Sequence, residues 1–372
     1  MPIDPQRIRD AQSLLARHLG PTRIARAASL SSPGHDVYLK IETELPTGSF
    51  KVRGAIYALS VAMRDGADEI NRDGLKAVPY IGKGTRDRLV AGEIRQDDRE
   101  AVPYVGKGTR ERLVGDGLQA VPEIREVVCA STGNHGAAVA YAAQLLGVRA
   151  TIFLPADPNP VKAARILALG ARIVTGGADL SAAIDAAQEY AARAPAFFLH
   201  DASDPDVPAG TATIGAEIVA QLPEVDVIYV PMGDTALIRG VASAAKQARP
   251  SVRIVGAVAD RAPAYLLSWQ GAGDVVETAT CDTIADGLAV RRPLAPNVAA
   301  IRELVDDVVA VSEEEMLAAI DLLYTREQVI AEPAGAAATA ALLKHPAAAR
   351  TSVVLVTGGN ISPDVRSRTH RS

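Results

Sequence analysis

Val127-Val128-Cys129-Ala130-Ser131-Thr132-Gly133-Asn134-His135-Gly136 joins a short apolar run to a polar turn, and the turn to an alanine-rich segment that ends near Leu146. An apolar run of this length closed by Ser, Thr and Gly predicts a buried strand over 127–130, with a helix over 135–146. The same phrase repeats downstream. Strands are expected at 150–154 and 172–174 around a helix at 160–169, then helix 209–222, strand 227–230, helix 237–248 and strand 252–258. Helices at 313–324 and 333–343 and a strand at 353–356 complete the series. Such alternation predicts parallel sheets covered on both faces. Upstream, Asp4 before Pro5 reads as a helix start, with Ile8, Leu14, Leu15 and Leu19 carrying the helix to Gly20, and 37–41 alternates as a strand.

In open α/β sheets, ligands gather at the carboxyl ends of strands, and Ser131, Gly233 and Thr357 each follow one. The Ser131 to His135 turn also opens a helix, whose amide groups and dipole favour an anion such as a carboxylate. Taken alone, the turn is equally a glycine turn capped by Ser and Thr.

A second run, Thr47-Gly48-Ser49-Phe50-Lys51-Val52-Arg53-Gly54-Ala55, places an amine among small residues behind an aromatic ring. Most lysines keep their ammonium in water. This setting predicts desolvation and a lowered pKa, the condition in which a lysine forms a Schiff base.

These two runs resemble the fold-type II pyridoxal-phosphate enzymes, and within them the serine and threonine dehydratases, serine racemases and hydroxyaspartate ammonia-lyases. The resemblance continues through Pro155, 170–174, 204–207, 283–288, Glu332-Pro333-Ala334-Gly335 and Thr357-Gly358-Gly359-Asn360. It implies a tryptophan synthase β-like fold of two open, twisted, mostly parallel sheets flanked by helices. It also implies pyridoxal 5′-phosphate, joined to Lys51, with Phe50 near it. The freed lysine would remove the Cα proton, and loss of a β-hydroxyl would give an enamine that hydrolyses to a 2-oxo acid and ammonia. By the same resemblance Asn134 meets the cofactor's 3-hydroxyl oxygen, while Ser131, Thr132, Gly133, Asn134 and His135 form the carboxylate pocket. Thr132 stands where racemases carry an acid or base serine. Thr357 would face the pyridine nitrogen, where a neutral hydroxyl favours β-elimination over transamination, and Glu332 would lie at the cofactor rim. Its plainer reading is an exposed acidic residue at a helix start.

Three departures stand out. The cofactor phosphate loop of the family is a run of four glycines, whereas this chain reads Gly233-Asp234-Thr235-Ala236-Leu237. Phosphate binding is still expected at this helix start, with Thr235 donating its hydroxyl. Asp234 is unfavourable there unless it turns away or caps the helix. The wording resembles that of dehydratases in hydroxyectoine and hydroxyaspartate catabolism. Where relatives carry carboxylate ligands for a divalent cation, this chain has Val258 and Ala264, so no metal site is expected. The chain also ends soon after Thr357, which predicts no C-terminal regulatory domain.

The third departure lies between Ala62 and Arg125. The segment 77–90 recurs as 101–114, with only Ile81/Val105 and Asp87/Glu111 changed, and Ala120-Val121-Pro122 echoes its start. This reads as a tandem duplication inserted between the Lys51 helix and the Ser131 strand. Gly82-Lys83-Gly84-Thr85 invites a phosphate-loop reading, but Ala77 stands where that loop requires its first glycine. A surface arm, a dimer contact and an active-site cover all fit such an insertion. The expected domains are 1–60 with 204–372 for the cofactor, 126–203 for the smaller sheet, and 62–125 as the insertion.

At 372 residues, 48% hydrophobic and 22% charged, the chain has enough apolar material for two modest cores. A net charge of -5 and 4% aromatic residues argue against nucleic acid as a partner. Cys129 and Cys281 make no disulfide framework, and no stretch reaches the ~20 apolar residues of a membrane span, so a cytoplasmic protein is expected; a homodimer is expected as well. The expected activity is a pyridoxal-phosphate ammonia-lyase acting on L-threonine or L-serine. L-threo-3-hydroxyaspartate or a hydroxyectoine-pathway substrate, β-replacement, racemisation and a non-catalytic binding role are the alternatives.

Overall fold

The computed structural model describes residues 2–65 and 124–369, apart from 132, 157–159, 178, 179, 195, 272 and 274. The repeat of 77–114 and Thr132 lie outside the described residues. The chain divides into two compact units, Met1–Ala62 with Ile124–Ser372, and Met63–Glu123. Everything below concerns the first.

Its elements are α1 (Pro5–Leu15), β1 (Ile24–Arg26), β2 (Asp36–Ile41), α2 (Lys51–Asp65), β3 (Glu126–Ala130), α3 (Asn134–Leu146), β4 (Arg149–Leu154) and α4 (Pro160–Ala168). They continue through β5 (Arg172–Thr175), α5 (Leu180–Arg193), β6 (Phe197–Phe198), α6 (Val207–Gln221), β7 (Val227–Pro231), α7 (Ala236–Ala248) and β8 (Arg253–Ala259). The last are α8 (Ala264–Gln270), α9 (Ala295–Leu304), β9 (Asp307–Val311), α10 (Glu313–Glu327), α11 (Pro333–Lys344), β10 (Thr351–Val356) and α12 (Pro363–Thr369).

The described strands form two sheets, ordered β1-β2-β10-β7-β8-β9 and β5-β4-β3-β6. All pairings are parallel except β1 with β2 at one edge. This is the α/β architecture of two mostly parallel sheets that the sequence predicts.

The larger sheet is buried on both faces, and its strands show why. Along β7 and β10, Val227, Tyr229, Val354 and Val356 pack with Met316 and Ile320 of α10 and the alanines of α11. Their neighbours Ile228, Val230, Val353 and Leu355 point the other way, onto Ile214 and Ile218 of α6 and Ile238 and Val241 of α7. Helices α6 and α7 lie close because glycines meet there: a Cβ on Gly215 would sit 2.3 Å from the Val241 carbonyl oxygen. The smaller sheet turns Val127 and Cys129 toward α2 and α3, and Val128 toward α5.

The first helix ends earlier than its apolar pattern suggests, at Leu15, although Leu19 is still buried. Elements α5, β6, α8, α9 and β9 have no counterpart among the sequence expectations.

Candidate active site

Three segments meet at loops that follow the carboxyl ends of strands in both sheets. The loop before α2 is sewn to the end of β10. Phe50 N–H donates to the Thr357 carbonyl (3.0 Å), Gly359 N–H donates to the Gly48 carbonyl (2.9 Å), and Ser49 bridges Gly358. Gly48 has φ +68°, a left-handed conformation that glycine adopts without cost, and it lets the chain reverse into α2. Lys51 is therefore the first residue of a buried helix, beside the buried Thr357.

The Lys51 amine donates to Asp201 Oδ2 at 2.6 Å and to Asp234 Oδ2 at 2.9 Å, and lies 5.5 Å from the Phe50 ring centre. Burial alone would depress its pKa. The two carboxylates outweigh burial and raise it, which corrects the sequence expectation of a lowered value. Asp201 is correspondingly held well below the ordinary carboxylate range: burial opposes this, but the Lys51 charge prevails, with help from His135 and His200.

The turn from β3 into α3 carries Ser131, Gly133, Asn134 and His135. Ser131 Oγ accepts the Gly133 N–H at 3.1 Å. His135 is buried, which lowers its pKa although Asp201 opposes this; Nε2–H donates to the Leu199 carbonyl at 3.1 Å, and Nδ1 faces Asp201 at 3.8 Å. Asn134 Nδ2 donates to Glu332 Oε1 at 2.5 Å, and Asn134 Oδ1 accepts from Asn360 Nδ2 at 2.6 Å. Asn360 Nδ2 also reaches the Thr47 carbonyl at 2.9 Å, and Arg165 donates to Asn360 Oδ1. Glu332 stands at the start of α11, whose Gly335 touches Gly358: an added Cβ would lie 2.2 Å from the Gly358 carbonyl oxygen.

The loop after β7 forms the third wall. A Cβ on Gly233 would lie 2.1 Å from the Gly287 carbonyl oxygen, so only glycine fits. Asp234 Oδ1 accepts the Ala236 N–H at 2.8 Å, capping α7, while its other oxygen meets Lys51. Thr235, the residue before α7, has φ +75°, which costs a β-branched residue roughly 1–3 kcal/mol. Its hydroxyl is buried and has no partner among the described residues. Ala236 and Leu237 follow, both buried, as the first turn of α7.

A family model described as pyridoxal-phosphate dependent enzyme matches residues 97–358. The chain belongs to this pyridoxal-phosphate dependent enzyme family. The enzyme is 32% identical over 364 residues to an L-threonine ammonia-lyase of Thermotoga maritima, an alignment covering 97% of this chain and 76% of that one. It is 40% identical over 237 residues to an L-threonine ammonia-lyase of Geobacter sulfurreducens, covering 63% of this chain and 59% of the relative. Among solved structures it is similar to maize serine racemase, with TM-score 0.78 and 25% identity over 99% of this chain and 97% of that one.

The residues present fit pyridoxal phosphate. The enzyme has a buried amine and, joined to it through Asp234, a helix start bearing an unpartnered hydroxyl and a glycine pressed against backbone. Asn134 offers an amide held in orientation by Glu332 and Asn360.

Three residues of this region, Asp201, Asn297 and Arg239, are not singled out by the sequence, and a fourth, Asn360, is given no role of its own there. Asp201 follows β6, a strand of only two residues. Asn360 closes the Thr357-Gly358-Gly359-Asn360 run after β10, and Asn297 donates to the Ala202 carbonyl (3.0 Å) and the Asp234 carbonyl (3.3 Å) from the first turn of α9. Arg239 is a charge in the otherwise apolar first turns of α7.

Proposed function

We propose that the enzyme is an ammonia-lyase of the threonine dehydratase type, eliminating water from L-threonine or L-serine to give a 2-oxo acid and ammonia. The observation that carries this reading is the match along 97% of the chain to a protein named L-threonine ammonia-lyase, joined to a buried lysine at the start of α2. Bound at this site, pyridoxal phosphate supplies the electron sink that makes the Cα proton of an amino acid removable.

The chain's own groups do the rest. Lys51 holds the cofactor and, once released, takes the Cα proton. Asp201 and Asp234 keep its amine in place and set when it loses its proton. Ser131, Thr132, Gly133, Asn134 and His135 bind the substrate carboxylate at the start of α3, where amide groups and dipole favour an anion. Asn134 would also hold the ring's 3-hydroxyl, Thr357 would serve the ring nitrogen, and Phe50 and Glu332 would border the ring. Gly233, Asp234, Thr235, Ala236 and Leu237 form the phosphate end, with Asp234 serving as helix cap rather than as a contact. In domain terms, 1–60 with 204–372 binds the cofactor, 126–203 carries the substrate turn, 62–125 is an insertion, and the working form is a homodimer.

Purified protein should be yellow, and borohydride should fix the colour onto Lys51, located by peptide mapping. A panel of hydroxy amino acids assayed for 2-oxo acid release then tests the substrate. Release from neither L-threonine nor L-serine overturns the reading.

A further inference from the structure

Arg239 donates its backbone N–H to the Thr235 carbonyl at 2.9 Å, so it stands one turn above the start of α7, and helical side chains lean back toward the amino end. Its guanidinium is largely enclosed but poorly used. Nη2 reaches the Ala202 carbonyl at 3.4 Å, Nε is buried without a partner, and no ion pair involves it among the described residues. Arg53 shows what a satisfied buried arginine looks like in this protein, with Glu42 at 2.8 Å and Glu217 at 2.5 Å. Burial lowers the Arg239 pKa although Asp234 and Tyr265 lie close enough to oppose it. A buried cation left this way is costly unless an anion completes it.

A second, independent feature lies one turn below. Thr235 is only 1% exposed, and its buried hydroxyl is unpartnered, on a residue held in the left-handed region. The neighbouring Asn297 amide is already committed to the Ala202 and Asp234 carbonyls and to the Tyr265 hydroxyl at 3.3 Å. Of the two cations near this helix start, Lys51 has two carboxylates and Arg239 has none among the described residues. The arrangement wants one more anion, beside Arg239 and Thr235.

We propose that Arg239, with the Thr235 hydroxyl, binds the phosphate group of pyridoxal phosphate at the start of α7. The charge of Arg239 offsets the Asp234 carboxylate that the same loop places there. This rests on the placement of the phosphate end given above.

The test compares pyridoxal 5′-phosphate with pyridoxal, which lacks only the phosphate, by titrating each into cofactor-stripped full-length protein and reading the visible absorbance. Arg239→Gln should weaken pyridoxal phosphate binding ~10–100-fold, the worth of a charge-assisted hydrogen bond, while leaving pyridoxal affinity unchanged. Arg239→Lys should recover part of the loss, and Thr235→Val should cost a few-fold on the phosphorylated form alone. Inorganic phosphate should compete with the cofactor in the unmodified protein and far less in Arg239→Gln. Thermal unfolding of the stripped Arg239→Gln protein should match or exceed the parent, because an unpaired buried charge has been removed; a structural arginine would show the reverse. Equal weakening of both ligands, or of neither, overturns the proposal while leaving the lyase reading intact. If the unmodified protein binds pyridoxal as tightly as the phosphate, the α7 placement falls as well. If it takes up neither, the proposed function falls with it.

Discussion

Asp201 Oδ2 lies 2.6 Å from Lys51 Nζ, with His135 Nδ1 on its far side at 3.8 Å. The lysine that must lose its proton to react is thus held protonated by the protein. Replacing Asp201 by Asn removes the stronger of the two attractions and lowers the Lys51 pKa. Covalent loading needs the neutral amine, so the pH profile of loading, followed by stopped-flow absorbance, should move to lower pH in Asp201→Asn. Superimposable profiles would show that this ion pair does not govern the amine.

Asp204 offers a cleaner titration. Burial pushes its carboxyl up to about 6, although its oxygen accepts the Asp206 and Val207 amides at 2.8 and 3.2 Å. An acid whose folded pKa is raised favours the folded state when protonated and costs stability once ionised. Relative to Asp204→Asn, the unmodified protein should lose up to about 3 kcal/mol between roughly pH 4 and pH 6, and the difference should be flat above that window. Urea unfolding of both proteins across pH 4 to 8 measures it.

Two residues past Lys51, Arg53 locks α2 into a buried network with Glu42, Glu217, Thr213 and Lys40. Arg53→Ala strands the buried Glu42 and leaves Glu217 to Lys40 alone, and should cost about 3–5 kcal/mol in chemical denaturation. Because Arg53 and Glu42 are almost fully buried, moderate salt should change that cost little.

Thr235 is a stability reserve of the opposite kind. Thr235→Gly relieves a left-handed β-branched residue and an unsatisfied hydroxyl, and should stabilise the cofactor-stripped protein by about 1 kcal/mol. A loss of stability would mean that the hydroxyl has a partner worth more than the strain.

The architecture was legible because strands buried on both faces alternate with helices in a regular grammar, from Val127 to Val356. The Ser131 turn and the Lys51 loop could be read for the same reason: glycines and hydroxyls at strand ends leave a local signature. What escaped is long-range. Nothing near Asp201 announces that Lys51, 150 positions earlier, lies against it, and the two-residue β6 gives no pattern to mark a strand end. The predicted direction of the Lys51 pKa failed for that reason, since desolvation is visible locally and opposing charges are not. Asp234 was legible as a misfit, but its double service as helix cap and lysine partner depends on the fold.

The chain of amides from Glu332 through Asn134 and Asn360 to Thr47 has a mechanical meaning. It fastens the α3 turn of the smaller sheet to loops at the edge of the larger one, so sliding one sheet against the other must break several short hydrogen bonds together. Motion at this seam is cooperative by construction. A ligand that engages Asn134 acts on the latch itself, coupling occupancy of the site to the stiffness of the whole cleft.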